Sequence, residues 1–223
     1  MNIMTKELKN RILTSFFLII LLFLIFEYSY ILISSLIIVS IISWIEFYGL
    51  IVRIFKKKSF NSIIIRFLFK ALGLIYLVFF SYLVFNGIST IDFKLNMIYL
   101  LSICISSDIG GLLFGRIFKG KKLTKISPNK TIAGTLGSFF LSLMMVPYFY
   151  YFYLNSFNPY HLIIITIIVS LTCQLGDLFF SYLKRVAKVK DTGDLLPGHG
   201  GILDRIDGII FAIPLGMVIW KFL

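Results

Sequence analysis

Seven long apolar stretches constrain the fold of this chain more than any other feature. A transmembrane helix needs about 20 mostly apolar residues, because the hydrocarbon core of a bilayer is about 30 Å thick. The mean hydropathy of +0.96 leaves too little polar surface for a soluble domain of 223 residues. The sequence therefore predicts an all-α, polytopic membrane protein with about seven transmembrane helices, within a range of six to nine. The predicted spans are residues 12–27, 30–52, 71–89, 95–114, 131–154, 161–182 and 206–222.

The remaining segments predict a simple organisation. No small-residue cleavage site follows the basic start of the chain, so the first apolar stretch is expected to be an uncleaved helix. Residues 59–70 are too short to span and carry two basic side chains, which predicts an amphipathic interfacial stretch. No repeat or low-complexity linker is visible. We therefore predict one membrane-embedded domain, 1–223, with N-terminal helices in 1–95 and the functional half in 96–223.

The basic residues predict the orientation of the chain. It has 22 Lys and Arg against 10 Asp and Glu, a net charge of +12. Basic residues concentrate in the cytoplasmic loops of membrane proteins. With a cytoplasmic N-terminus and alternating spans, Lys94 and Lys221 alone fall outside. This predicts an integral protein of a bacterial inner (plasma) membrane, with its N-terminus and a polar site in the cytoplasm. Topology then explains the positive charge, and no nucleic acid partner is expected.

Several carboxylates fall within or at the ends of the predicted spans, where a charge is costly. Such groups usually face protein or water and have a function. They are Glu46, Asp108, Asp177, Asp204 and Asp207. The two cysteines, Cys104 and Cys173, lie in apolar surroundings, which predicts buried packing.

Polar groups around the sixth span are predicted to share one helical face. If that helix continues into the cytoplasm, the spacing i, i+4, i+7, i+11 aligns a carboxylate, a hydroxyl and two lysines, with Arg185 beside them. These are Asp177, Ser181, Lys184 and Lys188. The alternative is that the lysines snorkel at a helix end while the aspartate is paired.

A turn-rich loop and two more carboxylates follow. Asp204 and Asp207 are spaced i, i+3 at the start of the last helix. Together with Asp177 they are predicted to hold Mg²⁺, which prefers oxygen ligands and shares them with phosphates, and a second cation is left open. Nearby Lys and Arg can neutralise phosphate charge. His199 lies between two glycines, and phosphate contact and an ordinary loop role both stay open for it.

A second polar cluster occupies residues 106–138. Gly111 and Gly115 have the GxxxG spacing, which favours close helix packing. The run SPNKT at 127–131 stands where a helix could start. A helix N-terminus beside Lys130 would suit an anion.

These two clusters resemble the phosphatidate cytidylyltransferases, also called CDP-diglyceride synthases. The main family signature matches over 27 residues, 181–207, without a gap. Its residues here are Ser181, Lys184, Arg185, Lys190, Asp191, His199, Gly200, Gly201, Asp204, Arg205 and Asp207. The upstream family elements correspond to Asp108, Gly110, Gly115, Arg116, Ser127, Pro128, Lys130 and Thr131. Asn129 and Ala133 depart from the family pattern, so neither is given a role.

The resemblance implies transfer of a cytidylyl group from CTP to phosphatidic acid, giving CDP-diacylglycerol and pyrophosphate in phospholipid biosynthesis. Mg²⁺ would be the cofactor, and CTP, phosphatidic acid, membrane lipids and a second copy of the chain would be the partners. The expected catalytic residues are Asp177, Lys184, Arg185, Asp204, Arg205 and Asp207. The expected substrate-binding residues are Asp108, Ser127, Lys130, Thr131, Ser181, Lys188, Lys190, Asp191, His199, Gly200 and Gly201.

Three alternatives stay open on the sequence. Another CTP-dependent lipid enzyme, such as a polyprenol kinase, would differ in a lipid tail that the signature does not encode. A cation- or proton-coupled transporter would also use membrane carboxylates, although here they cluster at one face and no inverted repeat is visible. The third is a non-catalytic membrane scaffold.

Overall fold

The fold is all α-helical, as predicted. A computed structural model of the chain describes residues 3–56, 59–124, 126–128, 130–155, 157–195 and 200–222. Across these ranges the chain has eight helices and no strand, apart from one isolated antiparallel bridge between Lys122 and Thr131. The helices are α1 (Ile3–Glu27), α2 (Ser29–Ile54), α3 (Phe60–Ser89), α4 (Ile91–Phe118), α5 (Ile132–Phe152), α6 (Pro159–Val186), α7 (Leu203–Ile206) and α8 (Ile209–Trp220).

Five helices, α2 to α6, are long and apolar enough to cross a membrane, a count that applies to the part of the chain just defined. The membrane-protein prediction is thereby confirmed, and five of the seven predicted spans have full length. The predicted crossing at 12–27 lies within α1, whose apolar part includes Phe16–Glu27. The one at 206–222 contains α8, whose 12 residues extend about 18 Å.

The prediction of a separate interfacial stretch at 59–70 is wrong. These residues begin α3, which continues without a break to Ser89 and is about 45 Å long. Trp44 of α2 donates its indole N–H to the carbonyl oxygen of Lys70 at 3.0 Å. The Lys70 ammonium lies 4.9 Å from the ring centroids of Trp44 and Tyr48. Because these aromatic faces accommodate the charge, the helix need not end there.

The chain forms two compact units. The first unit comprises residues 1–85 and 183–206, and the second comprises 86–182 and 207–223. In the first, α1 and α7 pack against α2, and in the second, α4 packs against α5 and α8. The single-domain organisation with a division at residue 95 stays a prediction.

Small residues bring α4 and α5 into close contact within the second unit. A side chain at Gly111 would come within 2.8 Å of the Ser138 hydroxyl, and one at Gly115 within 3.3 Å of the Thr131 hydroxyl. The Ser138 hydroxyl donates to the carbonyl oxygen of Ser107 at 2.7 Å. The packing interpretation of the GxxxG spacing is confirmed, and it fixes α4, which carries Asp108, against α5.

Candidate active site

The end of α6 sets the position of Lys188. Lys188 N–H donates to the Arg185 carbonyl at 3.1 Å, and Val189 N–H donates to the Lys184 carbonyl at 2.9 Å. Lys188 has φ 57°. This is the Schellman pattern that ends a helix. Lys188 is therefore not on the helical face predicted for it, because the helix stops at Val186.

The carboxylate of Asp204 lies at the centre of a polar group in the first unit. Its Oδ1 accepts a hydrogen bond from Lys184 Nζ at 2.6 Å. Its Oδ2 accepts from the backbone N–H groups of Thr192 at 2.8 Å and Gly201 at 3.1 Å. The Thr192 hydroxyl lies 3.0 Å from the same oxygen. We call Glu46, Lys184, Thr192, Gly201 and Asp204 the Asp204 cluster.

Glu46 of α2 belongs to this cluster, although it is far away in sequence. It accepts hydrogen bonds from the Thr192 hydroxyl at 2.7 Å and from the backbone N–H groups of Ile202 at 3.1 Å and Leu203 at 2.9 Å. The side chain is buried. The sequence marked Glu46 as a carboxylate at membrane depth, but did not connect it with the signature. The cost of burying its charge was the only sign in the sequence that Glu46 has a role. The spacing of residues did not indicate its partners in the loop before α7.

The surroundings of Asp204 favour its charged form. Burial raises the pKa of this carboxyl, but the hydrogen bond from Lys184, the N–H of Thr192, the Lys184 charge and the N–H of Gly201 outweigh burial. The net effect places the Asp204 pKa below its ordinary value. Asp204 is therefore a carboxylate at neutral pH, neutralised locally by Lys184.

A second polar group surrounds Asp177 in the second unit. Lys130 Nζ forms an ion pair with Asp177 Oδ2 and lies 3.4 Å from the carbonyl oxygen of Gln174. Asp108 and Asp177 lie within electrostatic range of each other and of Lys130. The thiol of Cys173 lies 3.9 Å from Asp108 Oδ1. Two acidic groups thus surround one lysine.

The turn before α8 brings Asp207 to the same part of the second unit. A side chain at Gly176 would come within 2.7 Å of the Asp207 carbonyl oxygen, and one at Gly208 within 2.6 Å of the Cys173 sulfur. The two glycines therefore let the turn pack directly on α6, beside Asp177. We call Asp108, Lys130, Cys173, Asp177 and Asp207 the Asp177 cluster. Both cysteines are buried free thiols, which confirms the packing role predicted for them.

A hairpin loop places Lys130 in the Asp177 cluster. Leu123 N–H donates to the Lys130 carbonyl at 2.8 Å, and Ile132 N–H donates to the Lys121 carbonyl at 3.0 Å. Thr131 is the N-cap of α5, since its hydroxyl oxygen accepts from Gly134 N–H at 3.0 Å. The helix start predicted at Ser127 and Pro128 is wrong, because Lys130 N–H donates to the Ser127 carbonyl at 3.1 Å and α5 begins only at Ile132, after its N-cap Thr131. Lys130 does lie beside the N-terminus of α5, as predicted.

The remaining predicted site residues that the structure describes are half-buried or exposed. Ser181 of α6 donates weakly to Asp177 Oδ1 at 3.4 Å, as the i, i+4 spacing predicts. Gly200 has φ 82°, a conformation suited to glycine, and a side chain there would lie 3.2 Å from Asp204 Oδ2. His199 lies outside the described residues, as does Asn129. The exposed charged residues are Arg185, Lys188, Lys190, Asp191 and Arg205.

The three aspartates predicted to bind Mg²⁺ fall in different units. Asp204 belongs to the first unit, whereas Asp177 and Asp207 belong to the second. Among the residues that the structure describes, no three His, Cys, Asp or Glu side chains are grouped so as to hold a metal ion. The metal site stays a prediction.

Comparison with known proteins identifies the family. The chain is 46% identical over 120 residues to a phosphatidate cytidylyltransferase of Staphylococcus aureus, covering 53% of this chain and 46% of the relative. It is 40% identical over 129 residues to a phosphatidate cytidylyltransferase of Rickettsia typhi, covering 54% of this chain and 57% of the relative. The chain thus spans about half the length of the curated relatives it matches. The sequence profile described as "Cytidylyltransferase family" matches residues 2–223. The chain therefore belongs to the cytidylyltransferase family.

Proposed function

We propose that this chain transfers the cytidylyl group of CTP to phosphatidic acid, releasing pyrophosphate and forming CDP-diacylglycerol. The main support for this proposal is that the family profile matches residues 2–223. Relatives at 40–46% identity are named for this activity. The two clusters supply the acidic and basic groups that such a reaction needs. Neither the transporter nor the scaffold is favoured by the comparisons.

The reaction joins two anions, so its main obstacle is charge repulsion. An oxygen of the lipid phosphate forms a bond to the α-phosphorus of CTP, and the bond from that phosphorus to the β-phosphate oxygen breaks. Pyrophosphate leaves with the electron pair. Catalysis of such a transfer depends on positioning and charge neutralisation. No covalent nucleophile is required.

Basic residues of the two clusters and of the α6–α8 region suit this neutralisation. Lys184 and Lys130 are each paired with a carboxylate, Asp204 and Asp177 respectively. Arg185, Lys188 and Arg205 are exposed, and Arg side chains bind phosphate oxygens in pairs. We assign the two paired lysines to orienting the reacting phosphates, and the exposed residues to gathering them.

Mg²⁺ is part of the proposal, with a second cation left open. Mg²⁺ is usually bound by one or two carboxylates together with substrate phosphates and water, so a preformed group of three is not needed. The carboxylates of Asp177 and Asp207 fit this role by their chemistry. Asp204 fits it less well, because both of its oxygens already accept hydrogen bonds. When bound, Mg²⁺ would offset the negative charge of the triphosphate.

The proposed location is the inner membrane, with both clusters facing the cytoplasm, where CTP is found. The excess of basic residues in the predicted cytoplasmic loops supports this orientation. A cysteine placed at Lys121, which is exposed, should be labelled by a membrane-impermeant maleimide only after lysis. One placed at Lys221, also exposed, should be labelled in intact cells. The reverse pattern would overturn the orientation. Cross-linking in native membranes would detect the proposed homodimer.

Pyrophosphate release from CTP by the purified full chain in detergent tests the function. We expect release only when phosphatidic acid and Mg²⁺ are both present, with CDP-diacylglycerol as the lipid product. Competition between phosphatidic acid and a polyprenol acceptor then fixes the lipid class. Pyrophosphate release without phosphatidic acid, or no release by a folded sample, would contradict the proposal.

A further inference from the structure

We infer that Glu46 is a positioning residue that fastens the described residues of the α6–α7 loop, 187–195 and 200–202, to helix α2 and so fixes Lys184 and Asp204. Its kinetic consequence rests on the proposed function, whereas its structural consequence does not. Glu46 lies outside the family signature matched by this sequence, and 146 residues separate it from Thr192.

Both carboxylate oxygens of Glu46 are used. Oε1 accepts from Ile202 N–H at 3.1 Å, and Oε2 accepts from Leu203 N–H at 2.9 Å and from the Thr192 hydroxyl at 2.7 Å. The residue is 8% exposed. Burying a carboxylate is costly unless it is well hydrogen-bonded. All three donors come from the loop or from the residue that follows it, so the loop must be in place for Glu46 to remain buried.

Thr192 connects Glu46 with Asp204. Its backbone N–H donates to Asp204 Oδ2 at 2.8 Å, and its hydroxyl oxygen lies 3.0 Å from the same atom. A hydroxyl has one hydrogen, which can point to only one of the two carboxylates at a time. Because the hydroxyl oxygen lies closer to Glu46 Oε2, at 2.7 Å, than to Asp204 Oδ2, at 3.0 Å, Glu46 is the better acceptor for that hydrogen. Glu46 thereby fixes the residue that holds Asp204, and Asp204 in turn holds Lys184.

Two glycines make room for the Glu46 carboxylate. A side chain at Gly193 would come within 2.6 Å of Glu46 Oε1, and one at Gly201 would collide with Glu46 Oε2 and with the Thr192 hydroxyl. At these two positions the backbone of the loop therefore lies directly against the Glu46 carboxylate. Between Asp191 and Leu195, and at Gly200 and Gly201, the described part of the loop has no helix. Such a segment can be held in a single conformation by its contacts with a helix.

The substitution Glu46→Gln tests the inference directly. The two oxygens each face a backbone N–H, so the amide NH₂ must oppose one of these donors. Glu27→Gln makes the same chemical change at an exposed position and is the matched control. Thr192→Val removes only the hydroxyl, and Thr192→Ser restores it. These milder variants keep the test decisive if Glu46→Gln fails to fold.

Two measurements distinguish an effect on the position of the loop from an effect on the catalytic rate. In the purified full chain, hydrogen–deuterium exchange of peptides covering 191–206 should rise at least 10-fold in Glu46→Gln and less in Thr192→Val. Exchange should stay unchanged in Glu27→Gln and Thr192→Ser. For pyrophosphate release, kcat per folded molecule should fall 10- to 100-fold in Glu46→Gln, with a smaller change in KM for CTP. Thr192→Ser should retain the wild-type rate.

The possible failures are distinguishable. Unchanged exchange in Glu46→Gln would overturn the positioning role whatever the activity. Raised exchange with an unchanged kcat would show that the fastened loop does not serve catalysis, and would overturn the kinetic part. A wild-type protein that releases no pyrophosphate, but whose loop loosens in Glu46→Gln, would overturn the proposed function and leave the fastening supported.

Discussion

Two lysine–aspartate ion pairs in the described chain differ in burial and in the number of their further partners. In Lys184–Asp204 the side chains are 13% and 7% exposed, and in Lys130–Asp177 they are 24% and 33% exposed. Asp204 also accepts two backbone N–H hydrogen bonds. Asp177 has a long contact from Ser181, at 3.4 Å.

This difference in burial indicates that the two ion pairs have different roles. A buried pair with every oxygen occupied cannot exchange partners without leaving a buried charge behind. A partly exposed pair can exchange its partner for water or substrate phosphate at little cost, because exposed pairs contribute only about 0–1 kcal/mol. We therefore interpret Lys184–Asp204 as a fixed ion pair, and we propose that Lys130–Asp177 opens when phosphate and Mg²⁺ bind.

Asp204→Asn should have the largest effect. The new amide would oppose either Lys184 or the N–H groups of Thr192 and Gly201, and Lys184 would lose its buried counter-charge. We expect pyrophosphate release to fall at least 100-fold. The free energy of unfolding should fall by about 3 kcal/mol, as for other broken buried pairs. Thermal unfolding in detergent beside the activity assay checks both. Near-normal turnover would rule out a role for Asp204 in metal binding or in fixing Lys184.

Asp177→Asn should separate activity from stability. We expect turnover to fall 10- to 100-fold, because a proposed Mg²⁺ ligand is lost. The free energy of unfolding should change by about 1 kcal/mol or less, since Lys130 can be solvated when unpaired. The apparent affinity for Mg²⁺, titrated at saturating CTP, should weaken as well. A stability loss equal to that of Asp204→Asn would break the distinction between the two pairs.

The pH dependence of unfolding should identify the contribution of Asp204. Its pKa is lower in the folded chain than its ordinary value, which is about 3.9, so the unfolded chain binds the proton more readily. The stabilisation is complete above that ordinary value, and is lost as pH falls through the lowered pKa. The difference in unfolding temperature between wild type and Asp204→Asn should therefore shrink below about pH 4. A difference that stays constant with pH would contradict a charged Asp204.

The length of the apolar stretches predicted the all-α fold, because such stretches have few ways to satisfy their backbone groups in a bilayer. The wrong predictions concern polar residues. Lys70 was expected to end an interfacial stretch, but Trp44 and Tyr48 of another helix accommodate its charge within a continuous helix. Lys188 was expected to extend the face of α6, but local backbone hydrogen bonds end that helix two residues earlier. The spacing of nearby residues indicated neither the aromatic contacts of Lys70 nor the hydrogen bonds that end α6.

For the candidate site, the sequence likewise identified several residues but not their contacts. The signature identified Lys184 and Asp204, which the structure pairs, and the upstream element identified Lys130, which pairs with Asp177. Their pairing was not predicted, since sequence analysis assigned the lysines to phosphate and the aspartates to metal. Thr192 and Glu46 were missed as site residues because their role is hydrogen bonding across the fold, which leaves no periodic pattern.

Ser181→Ala should have the smallest effect and sharpen the comparison. The hydroxyl donates to Asp177 at 3.4 Å, a long hydrogen bond at a partly exposed carboxylate, so its net contribution is about 0.5 kcal/mol. We expect kcat/KM to fall by a factor of about 2–3, with the unfolding temperature unchanged. Ser181→Thr keeps the hydroxyl and is the matched control. A loss of 30-fold or more, restored in Ser181→Thr, would mean that the hydroxyl binds substrate directly. The exchangeable contacts would then include Ser181, one turn beyond Asp177 on α6, as well as the Lys130–Asp177 pair.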